Sequence, residues 1–178
     1  MLKNFFIGVA GLGLALCAIA LLLPSSVHVE RDVLIESPPA AVFAVLDDQS
    51  RFNDWSPWYG IDPQAKFEIS GPQRGVGATM TWSGNSDIGS GTQRIIASIP
   101  DSRIDCALEF SGFGTATTSY LLEPEAGGTR LRWVYQSELG LNPLMRWLGL
   151  FMDGWVGPDY EKGLAKLKAM LESPTGTA

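Results

Sequence analysis

The chain has 178 residues, enough for one domain with a substantial core and too few for two. Its formal net charge of −6, with only 13 basic residues, argues against nucleic acid or an anionic membrane surface as a partner. One histidine (His28) and two cysteines (Cys17 and Cys106) are too few for a zinc site, and no metal or other cofactor is expected.

Residues 5–23 form an uncharged apolar segment that predicts a transmembrane helix. At about 1.5 Å per residue the segment is roughly 28 Å long, close to the hydrocarbon thickness of a bilayer. Lys3 precedes it, so the positive-inside rule predicts a cytoplasmic N-terminus and an exported domain, periplasmic or extracellular. A cleaved signal peptide is the alternative, because Ala18 and Ala20 match a cleavage pattern, but the apolar run continues to Leu23. We expect residues 1–26 to be a single-pass signal anchor.

The next region predicts one strand and two short helices. Residues 27–35 alternate between apolar and polar side chains, as in a strand with one buried face. Ser37 is placed to cap a helix whose first turn contains Pro38 and Pro39. A second short helix is expected over residues 50–53.

Six short alternating runs follow, separated by turn residues. Their inward positions are Phe67 and Ile69; Ala78, Met80 and Trp82; Gln93, Ile95, Ala97 and Ile99; Ile104, Cys106, Leu108 and Phe110; Thr118, Tyr120 and Leu122; and Leu131, Trp133 and Tyr135. Regular spacing with hairpin-sized gaps predicts an antiparallel meander.

The C-terminal stretch predicts two helices. Large apolar residues recur at steps of three and four from Leu144 to Trp155, which favours a helix over residues 143–152. Gly154, Gly157 and Pro158 then predict a kink, followed by a final helix over 158–172. Residues 173–178 are expected to form a frayed tail.

These elements predict an α+β helix-grip domain over residues 27–172. Seven antiparallel strands have one face to bury, and only the long C-terminal helix remains to cover it. The sheet must therefore curl around that helix, with the two short helices after the first strand closing one end. Such an arrangement leaves a space between sheet and helix.

The segments VLIESPP at 33–39, WSPW at 55–58, GVGA at 75–78, WSGN at 82–85 and DYEKGL at 159–164 resemble the START-like helix-grip superfamily. More narrowly, they resemble its bacterial polyketide cyclase/dehydrase and lipid-transport group. The resemblance covers about residues 27–172 and implies the helix-grip fold. The superfamily includes lipid carriers, plant hormone-binding and allergen proteins, aromatic cyclases and co-chaperone-like domains, so the function stays open. No catalytic motif of the cyclases can be placed here, and no catalytic residue is implied.

Polar residues offer few candidates for catalysis. His28 lies on the polar face of the first strand, beside the apolar segment, and is expected to be an exposed strand residue. Arg31 lies on the apolar side of that strand. It either binds an anionic group in the cavity or, as we favour, pairs with a nearby acid.

Carboxylates are more numerous but equally unspecific. Asp47 and Asp48 are expected to lie at a solvated helix end. Asp153 and Asp159 interrupt the apolar stripe where it should face the cavity, although a helix-start role is favoured for Asp159. General acid–base catalysis by either of these two is an open possibility.

Large rings and aliphatic residues on the inward faces predict a site for a hydrophobic small molecule, a lipid or a polycyclic compound. The candidate ligand-binding residues are Trp55, Met80, Trp82, Phe110, Tyr120, Trp133, Tyr135, Leu148, Phe151, Met152 and Trp155. Two alternatives remain: a cyclase/dehydrase-type enzyme on such a ligand, and a co-chaperone-like interaction domain with a filled core and an unknown protein partner.

Overall fold

A computed structural model describes residues 2–112 and 114–173, without the side chains of residues 4 and 5. Residues 174–178 of the expected frayed tail therefore lie outside the described residues. The helices are α1 (Leu2–Ala20), α2 (Pro39–Leu46), α3 (Phe52–Trp55), α4 (Pro143–Gly149) and α5 (Met152–Glu172), with a 3₁₀ turn at Gln49–Arg51. The strands are β1 (Ser26–Ile35), β2 (Lys66–Ser70), β3 (Thr79–Ser83), β4 (Ser90–Ile99), β5 (Arg103–Phe110), β6 (Gly114–Glu125) and β7 (Gly128–Glu138).

The seven strands form one antiparallel sheet in the order β1-β7-β6-β5-β4-β3-β2, which confirms the predicted meander. Successive hairpins place neighbours in sequence beside each other, and β1 returns to pair with β7. The long helix α5 packs across the concave face, mainly on β1, and buries Tyr160, Leu164 and Leu167 there. The helix-grip prediction is therefore confirmed for the sheet and the C-terminal helix.

A β-bulge interrupts the regular strand pairing in the β3–β5 half of the sheet. A register shift between Ile95 and Ala97 inserts one extra residue into β4, and such bulges bend a strand and increase its twist. Gly91 allows close packing on the same strand: a Cβ there would lie 2.7 Å from the Trp82 ring. A bulge at this position agrees with the space that β3, β4 and β5 enclose together with the helices.

The start of α2 differs from the prediction. Pro38 is the residue at the N-terminal cap, and its side chain makes no capping hydrogen bond. The Ser37 hydroxyl instead donates to Leu171 O at 3.3 Å, which ties this turn to the end of α5. Pro39 occupies the first helical turn, where its missing N–H is tolerated.

The predicted interruption between two helices at Gly154, Gly157 and Pro158 is misplaced. The break lies at Leu150 and Phe151, whose N–H groups bond to Trp147 O and Leu148 O in the tightened turn that ends α4. Helix α5 then runs without a break through Pro158 to Glu172.

Helix α1 rests by its C-terminal end on α4. Arg146, only 7% exposed, donates from Nη1 to Leu21 O at 2.8 Å and to Leu23 O at 3.1 Å. The Trp147 indole N–H donates to Leu16 O at 3.3 Å. The bonds from Arg146 use carbonyls that lie just after the last turn of α1, and with the Trp147 bond they fix α1 to the domain.

Most large side chains of α1 remain exposed, among them Leu2, Phe6, Ile7, Val9, Leu12, Leu14, Leu16 and Ile19. Within the described part of the chain, no helix is long and apolar enough to cross a membrane. The predicted transmembrane helix is therefore not confirmed.

Candidate ligand-binding cavity

A cavity of about 510 Å³ lies between the concave face of the sheet and the helices α4 and α5. Small-molecule sites are concave, mostly apolar and of roughly 300–1,000 Å³, so this cavity has the size and shape of such a site.

The sheet wall consists of inward positions on neighbouring strands. It contains Met80 and Trp82 of β3, Leu108 and Phe110 of β5, and Trp133 and Tyr135 of β7. Alternate residues of a strand share one face, so each of these pairs points to the same side. Trp82 and Phe110 pack edge to face with their ring centroids 5.8 Å apart.

The opposite wall comes from α4 and the first turns of α5. Its residues are Met145, Leu148, Met152, Trp155 and Val156, at the steps of three and four that place side chains on one helical face. Although the helix breaks at Leu150 and Phe151, the stripe continues from one helix to the next. Trp155 is 56% exposed while contributing to the wall, so it lies at the rim.

Where the sheet meets α5, aromatic rings close the cavity. Trp133 and Tyr160 stack with their centroids 3.7 Å apart and an angle of 11° between the rings. The Trp133 indole N–H donates to Thr118 Oγ1 at 2.8 Å, and the Tyr160 hydroxyl lies 3.3 Å from the same oxygen. Burial raises the pKa of Tyr160 and, less strongly, that of Tyr135, so both phenols stay protonated at neutral pH.

Eight predicted ligand-binding residues lie on the wall: Met80, Trp82, Phe110, Trp133, Tyr135, Leu148, Met152 and Trp155. Trp55 and Tyr120 are 1% exposed and pack edge to face in the core, away from the cavity. Phe151 is 56% exposed and stacks on Trp155 outside it. The role of the eight in binding stays a prediction.

The predicted ligand-binding set leaves out several wall residues, notably Phe52, Phe67 and Gln93, although the last two are predicted to face inward. Gln93 could have been identified from the sequence, because it is the one amide at an inward position of the predicted strands. It lies on the concave face opposite Met80 and Leu108, which belong to the strands on either side. Its amide Nε2 donates to Gln49 Oε1 at 3.0 Å.

Arg31 pairs with acids on α5, as favoured from the sequence, and does not line the cavity. Its Nε donates to Glu161 Oε1 at 2.7 Å, and its Nη1 donates to Asp153 Oδ1 at 2.9 Å. The hydrogen bond from Arg31 holds the pKa of Asp153 below its ordinary value. Asp153 is thus turned toward β1 rather than the cavity.

Asp159 does line the cavity, on the α5 side. Its Oδ2 accepts from the Trp58 indole N–H at 3.2 Å, and its Oδ1 pairs with Lys162 Nζ at 3.2 Å. Both oxygens therefore have partners. The helix-start role does not hold, because α5 begins seven residues earlier at Met152.

The expectation of solvated side chains at Asp47 and Asp48 is wrong. Asp48 is 2% exposed because the segment around Arg74 folds over it. Its carboxylate accepts from Ser50, Gln73 and Arg74. Asp47, 9% exposed, accepts from the Ser98 hydroxyl at 2.7 Å. His28 is exposed on β1, bonded to Glu30 and Gln136 and away from the cavity.

A curled antiparallel sheet that holds a long C-terminal helix over a ligand-sized apolar cavity defines a helix-grip protein of the START-like class. A profile described as "Polyketide cyclase / dehydrase and lipid transport" matches residues 26–172. The chain belongs to this family. No curated protein matches it significantly.

Solved structures share this fold at low sequence identity. A protein from Chromobacterium violaceum is 19% identical with a TM-score of 0.55, and the match covers 85% of this chain and 100% of that one. The Aha1 dimer from Colwellia psychrerythraea is 18% identical with a TM-score of 0.60, covering 84% and 99% of the two chains. The two-domain aromatase/cyclase StfQ of steffimycin biosynthesis is 11% identical with a TM-score of 0.61, covering 83% of this chain and 51% of that one.

Proposed function

We propose that this protein binds a hydrophobic small molecule, a lipid or a polycyclic compound, between the sheet and helices α4 and α5. The observation that carries the proposal is the cavity of about 510 Å³ with aromatic and aliphatic walls. Apolar surface of this kind favours a ligand that loses its contact with water on binding. The family description, which names both polyketide cyclases and lipid transport, agrees with a ligand of this class.

Binding without catalysis is favoured over a cyclase/dehydrase reaction by the ionisable groups of the wall. These are Asp87, Asp159, Tyr135 and Tyr160. The two tyrosines have raised pKa values and cannot act as bases near neutral pH, and both oxygens of Asp159 have partners. A cyclase would need a proton acceptor paired with a donor, and the engagement of Asp159 by Trp58 and Lys162 favours binding without catalysis.

The cavity also weighs against the third alternative, an interaction domain with a filled core. The similarity to the Aha1 dimer is at 18% identity and concerns the fold. A domain that needed only a scaffold would gain stability by filling this volume with side chains. The cavity instead stays unfilled by side chains and is open at the rim formed by Trp155, which favours ligand binding over a purely structural role.

A fluorescence titration with a neutral apolar dye tests the proposal. Leu148→Trp adds a large ring to the helix wall and should weaken dye binding at least tenfold, which is about 1.4 kcal/mol. Leu144→Trp makes the same change at an exposed position of the same helix and should leave binding unchanged. Absence of saturable binding by the parent protein, or equal binding by both variants, would overturn the proposal.

We further propose that residues 5–23 hold the protein at a membrane, with the N-terminus cytoplasmic and the domain on the exported side. The exposed side chains of α1 support an apolar environment, because they point in all directions around the helix rather than along one stripe. Fractionation followed by N-terminal sequencing tests this location. A mature chain that begins at Leu21, or a protein found only in the aqueous fraction, would contradict it.

A further inference from the structure

The wall of the cavity contains acidic side chains and no basic one. Among the described residues that line it, none is Lys, Arg or His, whereas Asp87 and Asp159 are both present. The remaining polar groups are all neutral: hydroxyls, the indole N–H groups of the lining tryptophans, one amide and the backbone. The charge available to a ligand inside is therefore negative or zero.

Cations near the cavity are already engaged elsewhere. Arg31 is held by Asp153 and Glu161 on the other side of α5. Lys162 pairs with Asp159 and is 67% exposed, so it neutralises the carboxylate from the solvent side. A carboxylate or phosphate taken into this cavity would lose its hydration without gaining a partner of opposite charge, which strongly disfavours it.

One neutral group on the wall is poised to hydrogen-bond a ligand. Gln93 is 4% exposed and lies between Met80 and Leu108 on the concave face. Its amide is oriented by Gln49, which is itself 2% exposed. A glutamine amide has four hydrogen-bonding positions, and among the described residues the carbonyl Oε1 of Gln93 has no partner. Unlike the unpartnered Trp55 Nε1 and Tyr120 hydroxyl, which are sealed in the core, Oε1 is accessible from the cavity and can accept from a donor on a ligand there.

We infer that the ligand is a neutral, mainly apolar molecule carrying a hydroxyl group, which donates to Gln93. The inference rests on the proposed binding function and narrows it: sterol-like or polycyclic alcohols fit, whereas fatty-acid carboxylates and phosphates do not. Selectivity then arises from two separate features, the lack of a cation and the single oriented amide.

Three fluorescent probes that share one ring system separate these features: methylpyrene, pyrenemethanol and pyrenecarboxylate, which is ionised at neutral pH. Titrated against the full chain, pyrenemethanol should bind at least about tenfold more tightly than pyrenecarboxylate, because the buried anion has no partner. Comparable affinity for the alcohol and the anion would overturn the inference while leaving the binding function intact. If no probe binds, the proposed function falls, and the inference falls with it.

The amide is tested by Gln93→Leu, which keeps a side chain of similar size. Pyrenemethanol should bind about three- to tenfold more weakly to this variant, the effect of one lost hydrogen bond, while methylpyrene should bind at least as well as before. Gln136→Leu, on the exposed face of β7, is the control and should change neither affinity.

Gln93→Leu leaves the buried amide of Gln49 without its hydrogen-bond partner. The double variant Gln49→Leu/Gln93→Leu is therefore measured as well, because it removes both amides and leaves no unpaired polar group. Unchanged affinity of pyrenemethanol in both variants, with methylpyrene also unchanged, would remove Gln93 from the site.

Discussion

Single buried carboxylates fix the short helices to neighbouring segments, and Asp48 has more side-chain hydrogen-bond partners among the described residues than Asp47. Its side chain accepts from the Ser50 hydroxyl at 2.5 Å, Gln73 Nε2 at 3.0 Å and Arg74 Nε at 3.0 Å. Burial by itself raises the pKa of this carboxyl, but the hydrogen bonds from Ser50, Arg74 and Gln73 outweigh it and lower the pKa below 3.8. Asp48 therefore links the 3₁₀ turn to the segment before β3.

The sign of this pKa shift predicts acid sensitivity. Because the folded pKa is depressed, the stabilisation is complete above the unfolded value of 3.8 and is lost as pH falls through the folded value. Asp48→Asn should lower the free energy of unfolding by about 1–2 kcal/mol at neutral pH and flatten its decline in acid. Urea unfolding at a series of pH values measures this. Asp54→Asn, an exposed partner of Arg51, is the control, and an unchanged acid slope in Asp48→Asn would contradict the assignment.

Alanine substitutions at three positions, on α5 and at its N-terminal cap, distinguish residues of the surface, the cavity wall and the core. Phe151 is 56% exposed, so Phe151→Ala should cost less than about 1 kcal/mol and leave dye binding within twofold. Leu167 is fully buried, so Leu167→Ala should cost about 2–5 kcal/mol. Met152→Ala changes the wall itself and should alter dye affinity more than Phe151→Ala does. Denaturation midpoints and dye titrations on the three variants check this order, which a large loss of stability in Phe151→Ala would contradict.

Among the elements, β1 and α5 are joined by an ion-pair cluster that depends on a glycine. The Arg31 guanidinium crosses α5 directly over Gly157, and a Cβ at that position would collide with Arg31 Nη2. Asp153 and Glu161 lie one turn before and one turn after Gly157 and hold the guanidinium in place. Gly157 therefore serves the contact between elements at some cost to helix propensity.

A double-mutant cycle isolates this effect. In the parent protein, the gain of about 1 kcal/mol from Gly157→Ala should be offset by displacement of Arg31 from its partners. In an Arg31→Ala background nothing is displaced, so the same substitution should stabilise by about 1 kcal/mol. Chemical denaturation of the four proteins gives the coupling. Equal effects of Gly157→Ala in both backgrounds would show that the close packing has no energetic consequence.

The attachment of α1 to α4 depends on Arg146. Arg146→Ala removes bonds to Gly140 O, Leu21 O and Leu23 O. Hydrogen bonds to a charged donor contribute about 1.5–3 kcal/mol each, so residues 20–26 should become more accessible to protease. Limited proteolysis in detergent measures the cleavage rate. The control is Leu150→Ala, a substitution at an exposed position just after α4. Cleavage no faster than in the parent protein would contradict this role of Arg146.

In the whole molecule, the two ends of the space enclosed by the curled sheet and its helices differ. Helices α2 and α3 fill one end, where Trp55 packs edge to face on Tyr120 at 6.0 Å and on Trp133 at 5.2 Å. At the other end, α4 and the start of α5 stand away from the sheet and leave the cavity. Trp133 belongs to both regions and separates the core from the site.

This division determines which features of the fold and the cavity could be predicted from the sequence. Two-residue alternation identified the strands and their inward faces, so Met80, Trp82 and Tyr135 were found. The same alternation makes Tyr120 inward as well, and only the packing of α2 and α3 places it in core rather than cavity. The helix break was misplaced because Gly157 and Pro158 look like a local interruption, whereas the contact with Arg31 is tertiary. The burial of Asp48 likewise depends on Arg74, which is distant in sequence.

Native mass spectrometry tests whether the cavity between the sheet and α4–α5 holds one hydrophobic molecule. The parent protein, Leu148→Trp and Leu144→Trp are each incubated with a total lipid extract, desalted and measured intact. We expect one small-molecule adduct per chain on the parent and on Leu144→Trp, and loss of that adduct on Leu148→Trp. The absence of any adduct on the parent protein, or an equal adduct on all three, would contradict it.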